Sequence, residues 1–172
     1  MATMTTDAGA ALQEIFVSLV REHEPLLHKV CHLYCRSEEE RRDLLQEILL
    51  QVWRSLPGFQ GRAKPATWIY RVALNTAITF LRKSIRSGRV DALTDAEAPF
   101  CEDREFRRVE QAEVLERALA TLGNVDKALV LLHFEERSHK EIGEILGISE
   151  KAVGVKLVRI RNKLREWFQG SR

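Results

Sequence analysis

Between Ser138 and Arg165 the chain packs a short amphipathic segment, a glycine turn and a longer basic amphipathic segment into 28 residues. Ser138 with Glu141 three residues later has the form of a helix N-cap. Ile142, Ile145 and Leu146 then supply one apolar side, and Gly147-Ile148-Ser149 reads as a tight turn, with Gly147 suited to the left-handed conformation that ends a helix. Ser149 can cap the next helix, in which Val153, Leu157, Ile160 and Leu164 recur at steps of four, three and four. Lys151, Lys156, Arg159, Arg161 and Lys163 fall on its other face. This order is the helix-turn-helix pattern: the second helix fits the major groove, and flanking cations neutralise phosphates. A helical hairpin with a solvated basic face is the alternative.

The rest of the chain is also helical in pattern. Apolar residues at helical spacing run from Leu12 to Val20, and again through Leu26, Leu27, Val30, Cys31 and Tyr34. Pro25 suits the first turn of the second of these helices. Ser37 and Glu40 form a capping box for a third helix through Leu44, Ile48, Val52 and Trp53, which Pro57-Gly58 ends. A fourth follows Pro65 and carries Trp68, Ile69, Val72, Ala73, Thr76 and Ala77. The first ten residues, small and polar, are expected to be disordered. The expected fold class is therefore all-α, with a four-helix domain over residues 10–86. An acidic flexible linker follows over 87–105, where Gly88 and Pro99 interrupt any helix, and a helix-turn-helix domain over 106–170. In the last domain, helical spacing returns from Phe106 through Leu122, stops at Gly123-Asn124 and resumes from Val125 to Phe134.

Charge sharpens this reading. The net charge is only +2, but Phe59 to Val90 holds seven Lys or Arg and no acid, and Lys151 to Arg165 holds six more and no acid. Between them, Asp91 to Glu105 holds six acids against one base, Arg104. Two basic segments separated by an acidic one suit two nucleic-acid contacts, with solvated helix faces as the plain alternative.

Two further stretches carry a family resemblance. Asp43-Leu44-Leu45-Gln46-Glu47-Ile48-Leu49-Leu50-Gln51-Val52-Trp53 looks like the polymerase-binding helix of sigma factors. Thr67-Trp68-Ile69-Tyr70-Arg71-Val72-Ala73-Leu74-Asn75-Thr76-Ala77-Ile78, followed by Leu81-Arg82-Lys83, resembles their promoter-melting helix. With the helix-turn-helix behind a linker, residues 12–168 resemble the extracytoplasmic-function (ECF) sigma family of the sigma-70 superfamily. The resemblance implies a subunit that binds core RNA polymerase, recognises and melts promoter DNA and initiates transcription of a regulon, often under control of a membrane-linked anti-sigma factor.

By that resemblance, Asp43, Leu44, Gln46 and Glu47 form the core-polymerase contact, meeting a basic coiled coil of the polymerase's largest subunit. Leu44, Ile48, Val52 and Trp53 are read from their spacing as core with a partly exposed edge. Phe59, Arg62, Lys64, Trp68, Arg71, Asn75, Arg82 and Lys83, with Arg86, are expected to hold the proximal promoter element as a single strand. The loop from Phe59 to Lys64 resembles the one that receives a flipped base. Trp68 has a second reading as a packed core aromatic. The linker's acids are expected to repel free DNA and to lie in the polymerase's nucleic-acid channel. For the distal element the expected contacts are Ser149, Lys151, Ala152, Val155, Lys156, Val158, Arg159 and Arg161. The chain departs from the family in having Gly123 after Leu122, where a proline is usual, and in having Ala152, Gly154 and Val155 where polar residues are frequent. Of Gly154, Val155, Val158 and Arg159, the positions expected to face bases, only Arg159 is polar, so shape, phosphates and thymine methyls are the expected determinants.

Other chemistry is thinly represented. His28, Cys31, His32 and Cys35 lie on one side of a helix, but one helix rarely surrounds a tetrahedral ion, and Cys31 shares the apolar face with Val30 and Tyr34. A redox role for Cys31 and Cys35 stays open. With no export signal and three cysteines, reduced thiols and a cytoplasmic location are expected. His133 and His139 near Glu135 and Glu136 lack a nucleophile or phosphate loop, so neither an enzyme nor a cofactor is expected. No apolar run approaches the ~20 residues that span a bilayer, so no membrane insertion is expected. Two rival functions are a stand-alone helix-turn-helix regulator and a protein that binds polymerase without touching DNA. The first leaves Asp43 to Lys83 unexplained, and the acid-free stretch from Phe59 argues against the second.

Overall fold

The computed structural model describes residues 4–86 and 114–170, with side chains described for 10–84 and 114–170. The chain divides into two compact units, Met1–Arg89 and Val90–Arg172. Every regular element among the described residues is helical.

In the first unit α1 spans Met4–Tyr34, α2 Glu38–Ser55 and α3 Pro65–Arg86, with a single 3-10 turn at Leu56–Gly58 after α2. Each helix packs on the other two. Their shared core comprises Leu27, Val30 and Cys31 of α1, Leu44, Ile48 and Val52 of α2, and Ile69, Tyr70, Ala73, Leu74 and Ala77 of α3, none more than 1% exposed. Thr76 is nearly buried because its hydroxyl donates back to the Val72 carbonyl at 2.8 Å. The capping box expected at Ser37 is formed: its Oγ accepts from Glu40 N at 3.1 Å, and Glu40 Oε2 accepts from Ser37 N at 3.3 Å.

Two expectations are corrected at the N-terminus. The helices read on either side of Pro25 are one, because α1 runs through Pro25 without a break. An interior proline costs about 3 kcal/mol. Leu26, Leu27 and Val30 directly after it are all buried, at ~1.5–3 kcal/mol each, which outweighs that cost. The helix also begins at Met4 rather than near Leu12. Ala8, Ala10 and Ala11 have the highest helix propensity and no apolar pattern, so they propagate a helix without announcing it.

In the second unit residues 114–120 are helical (α4), followed by α5 at Asn124–Phe134, α6 at His139–Leu146 and α7 at Glu150–Gly170. The expected linker 87–105, with Cys101 and the acids of 91–105, and the expected helical stretch from Phe106 to Ala112 lie outside the described residues. Ala118, Ala128, Leu129, Leu132, Ile142, Ile145, Val153 and Ile160 form the core. The α6 capping box is formed between Ser138 and Glu141. Gly147 adopts φ +69, ψ 33, as the turn requires. Ser149 Oγ then accepts from Ala152 N at 3.2 Å and caps α7. The hinge is set by Gly143: a Cβ there would stand 2.6 Å from the backbone oxygen of Ile148, so only glycine lets α6 lie this close to its own turn.

Cys31 and Cys35 face inward while His28 and His32 are exposed, so the four do not converge on one point. Among the described residues no group of three or more His, Cys, Asp or Glu is placed to hold a metal ion. Burial pushes the Cys31 thiol up to about 11 and, with the Glu40 carboxylate adding to it, the Cys35 thiol up to about 12. No described helix is long and apolar enough to cross a membrane.

Two glycines eleven residues apart should respond with opposite sign. Gly143→Ala should lower the unfolding free energy by ~1–3 kcal/mol in a urea titration, because the obstructing atom is backbone. Gly154→Ala, whose Cβ would meet only His139 at 3.9 Å, should raise it by ~0.5–1 kcal/mol, the gain for alanine over glycine inside a helix. The thiols give a second test, read in a Cys101→Ser background. Neither Cys31 nor Cys35 should react with a maleimide at pH 8 until the protein is unfolded. Because folding raises both pKa values above 9.0, the native state holds protons that the unfolded chain releases. The associated stability is complete below pH 9 and should decline as pH rises through 11 and 12.

Candidate nucleic-acid interface

Three helix faces present the residues singled out above. On α2, the spacing that buries Leu44, Ile48 and Val52 turns Asp43 and Gln46 outward, where both are exposed. Glu47 is half-buried and accepts from Gln51 Nε2 at 3.1 Å. Leu44 does not belong with them: it is fully buried, so its side chain is core and cannot meet a partner. Leu50 and Trp53 continue the outward row at steps of four and three from Gln46, and are 40% and 38% exposed. Trp53 meets Phe16 of α1 edge-on at 5.2 Å between centroids. Heptad spacing from Asp43 and Gln46 was the signal that would have added Leu50 to the candidate surface.

On α3 the inward residues are Ile69, Tyr70, Ala73, Leu74, Thr76 and Ala77, and the opposite side forms a stripe. Trp68, Arg71, Asn75 and Arg82 lie along it at steps of three, four and seven, with Lys83 at its edge, all exposed except Trp68. Thr79, not singled out from sequence, is exposed on the same stripe, and its hydroxyl donates to the Asn75 carbonyl at 2.8 Å. At the head of the stripe, Phe59 from the loop lies against Trp68, with centroids 4.8 Å apart and planes tilted by 35°. Both rings are half-buried. The two readings of Trp68 thus merge: one face packs on Phe59 and part of the ring stays open. Arg62 and Lys64 of the same loop are exposed, whereas the side chain of Arg86 lies outside the described residues. Among the described residues no acid pairs with Arg62, Arg71, Arg82 or Lys83, which leaves this side of the unit electropositive.

On α7, Val153 and Ile160 are buried and Leu157 and Leu164 half-buried, so the apolar row faces α5 and α6. The outward row is Lys151, Val155, Val158 and Asn162, at steps of four, three and four, with Arg159, Arg161 and Arg165 exposed beside it. Asn162 was missed because its amide stands among cations that dominate the pattern. Ser149 is exposed, and its Oγ serves the helix cap. Ala152 is half-buried. Lys156 is half-buried and engaged within its own unit, with Nζ 3.4 Å from Asp126 Oδ1 of α5. Lys163 is exposed, as expected, and its Nζ also donates to the Thr121 carbonyl. Both lysines tie α7 to the helices beneath it, an arrangement that helical periodicity alone does not reveal.

Family comparison agrees with the two units. Residues 19–87 match the family model of sigma-70 region 2, and residues 112–164 that of sigma-70 region 4. The chain is 28% identical over 139 residues to the RNA polymerase sigma factor YlaC of Bacillus subtilis, covering 78% of this chain and 80% of that protein. It is 26% identical over 150 residues to the ECF RNA polymerase sigma factor SigM of Mycobacterium tuberculosis, covering 87% and 74%. In fold it is similar to the sigma factor RpoE of Bartonella quintana, solved in complex with the anti-sigma factor NepR. That match has a TM-score of 0.68 at 17% identity, over 92% of this chain and 99% of the other. With sigma-70 regions 2 and 4 both present and in that order, the chain belongs to the extracytoplasmic-function group of the sigma-70 family of RNA polymerase sigma factors.

Proposed function

We propose that the chain binds core RNA polymerase through the exposed face of α2 and carries it to promoters, where α3 and α7 contact different elements. On α2, Asp43 and Gln46, with the Glu47 carboxylate beside them, offer acidic and amide groups to a basic partner helix, and Leu50 and Trp53 add apolar contact area. The α3 stripe suits a single strand: Arg71, Arg82 and Lys83 neutralise phosphates, Asn75 both donates and accepts, and Trp68 with Phe59 offers a ring surface to an unstacked base. Taking up an extruded base offsets part of the few kcal/mol that unstacking costs, which favours strand opening. Helix α7 lies in the major groove of the duplex distal element, with Lys151 and Arg159 neutralising phosphates on either side of its base-facing row. Residues 10–86 thus carry polymerase binding and melting, 106–170 duplex recognition, and 87–105 the acidic connection.

The observation that carries this reading is the α3 stripe, whose Arg71, Arg82 and Lys83 have no acid partner among the described residues, beside the Phe59–Trp68 pair, for which a stand-alone regulator has no use. The protein acts in the cytoplasm, where polymerase and DNA reside. Control by an anti-sigma factor is supported by the complex in which RpoE was solved.

Abortive initiation with purified core polymerase on a genomic promoter pool tests the proposal. The full chain should produce specific initiation, and Asp43→Ala with Gln46→Ala should reduce it at least tenfold, ~1.4 kcal/mol, without changing the melting temperature. Initiation at wild-type level by that variant would remove α2 from the contact. Salt titrations of duplex binding by the holoenzyme separate the cations of α7. Arg159→Ala should lower the slope of log K against log salt by about 1. Lys156→Ala should leave the slope unchanged and cost under ~1 kcal/mol of stability, because its ion pair is partly exposed and screened.

A further inference from the structure

Val155 and Val158 are 48% and 49% exposed in the middle of the basic outward face of α7. They stand three residues apart and are therefore neighbours on the surface of α7. The fold does not require them: the core side of α7 is Val153, Leu157, Ile160 and Leu164, and an exposed β-branched residue is a poorer helix former than alanine or lysine. Both fall within the first nine residues of α7, about 14 Å from its start, the end of a recognition helix that reaches base edges. Polar competition there is sparse. Ala152 and Gly154 carry no polar side chain, Ser149 Oγ is engaged in the cap, and Lys156 is turned to Asp126. Lys151 and Arg159 bracket the valines with positive charge that matches a DNA backbone on either side. An apolar pair inside a cationic frame fits one kind of base edge. Among the four bases, only thymine presents a methyl group in the major groove, while the other edges present donors and acceptors that a valine would leave unpaired.

We propose that Val155 and Val158 are specificity-determining residues that read thymine 5-methyl groups in the duplex upstream promoter element. This rests on α7 being the recognition helix, and the test separates the two. Random duplex DNA is selected for binding by the full chain assembled with core RNA polymerase. The best binder is then resynthesised with deoxyuridine in place of each thymine upstream of the melted segment, which deletes the methyl and keeps the base pair. At one or two adjacent positions the loss of the methyl should weaken holoenzyme binding about fourfold, the ratio that ~0.8 kcal/mol for one buried methyl-sized group corresponds to. Holoenzyme carrying Val155→Ala and Val158→Ala should bind the thymine and deoxyuridine duplexes equally. Full discrimination by that variant would take the role away from these valines. Equal binding of both duplexes by the unaltered protein, or a selected site with no upstream thymine, would overturn methyl reading and leave duplex recognition by α7 intact. Failure to select any upstream duplex sequence with an assembled holoenzyme would overturn the recognition-helix reading itself.

Discussion

The approach of Gly143 to the Ile148 carbonyl governs how the second unit presents its surface. With 2.6 Å between that oxygen and the place a Cβ would occupy, α6 and the turn sit at a distance no other residue allows. Gly147 in the left-handed region then redirects the chain, and Ser149 caps α7 as it leaves the turn. The direction of α7, and hence the row formed by Lys151, Val155, Val158 and Asn162, follows from these three local conditions. The core contacts of Val153 and Ile160 only hold in place an orientation that the turn has already imposed.

Charge is used in two ways on these helices. On α3, Arg71, Arg82 and Lys83 lie opposite the core side and pair with no acid among the described residues, so their field is directed outward. On α7 part of the positive charge is directed inward. Lys156 pairs with Asp126, and Lys163 donates to the Thr121 carbonyl, which bind the helix to its own domain. Lys151, Arg159, Arg161, Lys163 and Arg165 stay exposed, and the apolar pair stands among them.

The first unit shows how burial overrides local preference. Pro25 would ordinarily end a helix or open a new one. Three buried side chains follow it on α1, and their transfer out of water exceeds the cost of the missing hydrogen bond. The same core absorbs Leu44, which stands in the stretch that resembles a polymerase-binding helix but whose side chain serves only to hold that helix against α1 and α3.

Much of this molecule was legible in its sequence, because the signals are local. The Ser37–Glu40 and Ser138–Glu141 boxes, the turn at Gly147, the cap at Ser149 and the apolar rows of α2, α3 and α7 each depend on residues within a few positions of one another. So does the outward stripe from Trp68 to Arg82, since helical periodicity that selects one side for the core defines the other for a partner. What remained undecided depended on residues distant in sequence. The union of two helices across Pro25 required the weight of a core contributed by α2 and α3. The tethering of Lys156 and Lys163 to the helices beneath them required Asp126 and Thr121, 30 and 42 residues away. The half-buried state of Trp68 required Phe59 to fold back from a loop with no periodicity to read. Sequence by itself determined the helices, their caps and their two faces, whereas tertiary packing decided which charged and aromatic side chains on those faces stay available to a partner, because a long side chain goes to whatever neighbour the fold places within its reach.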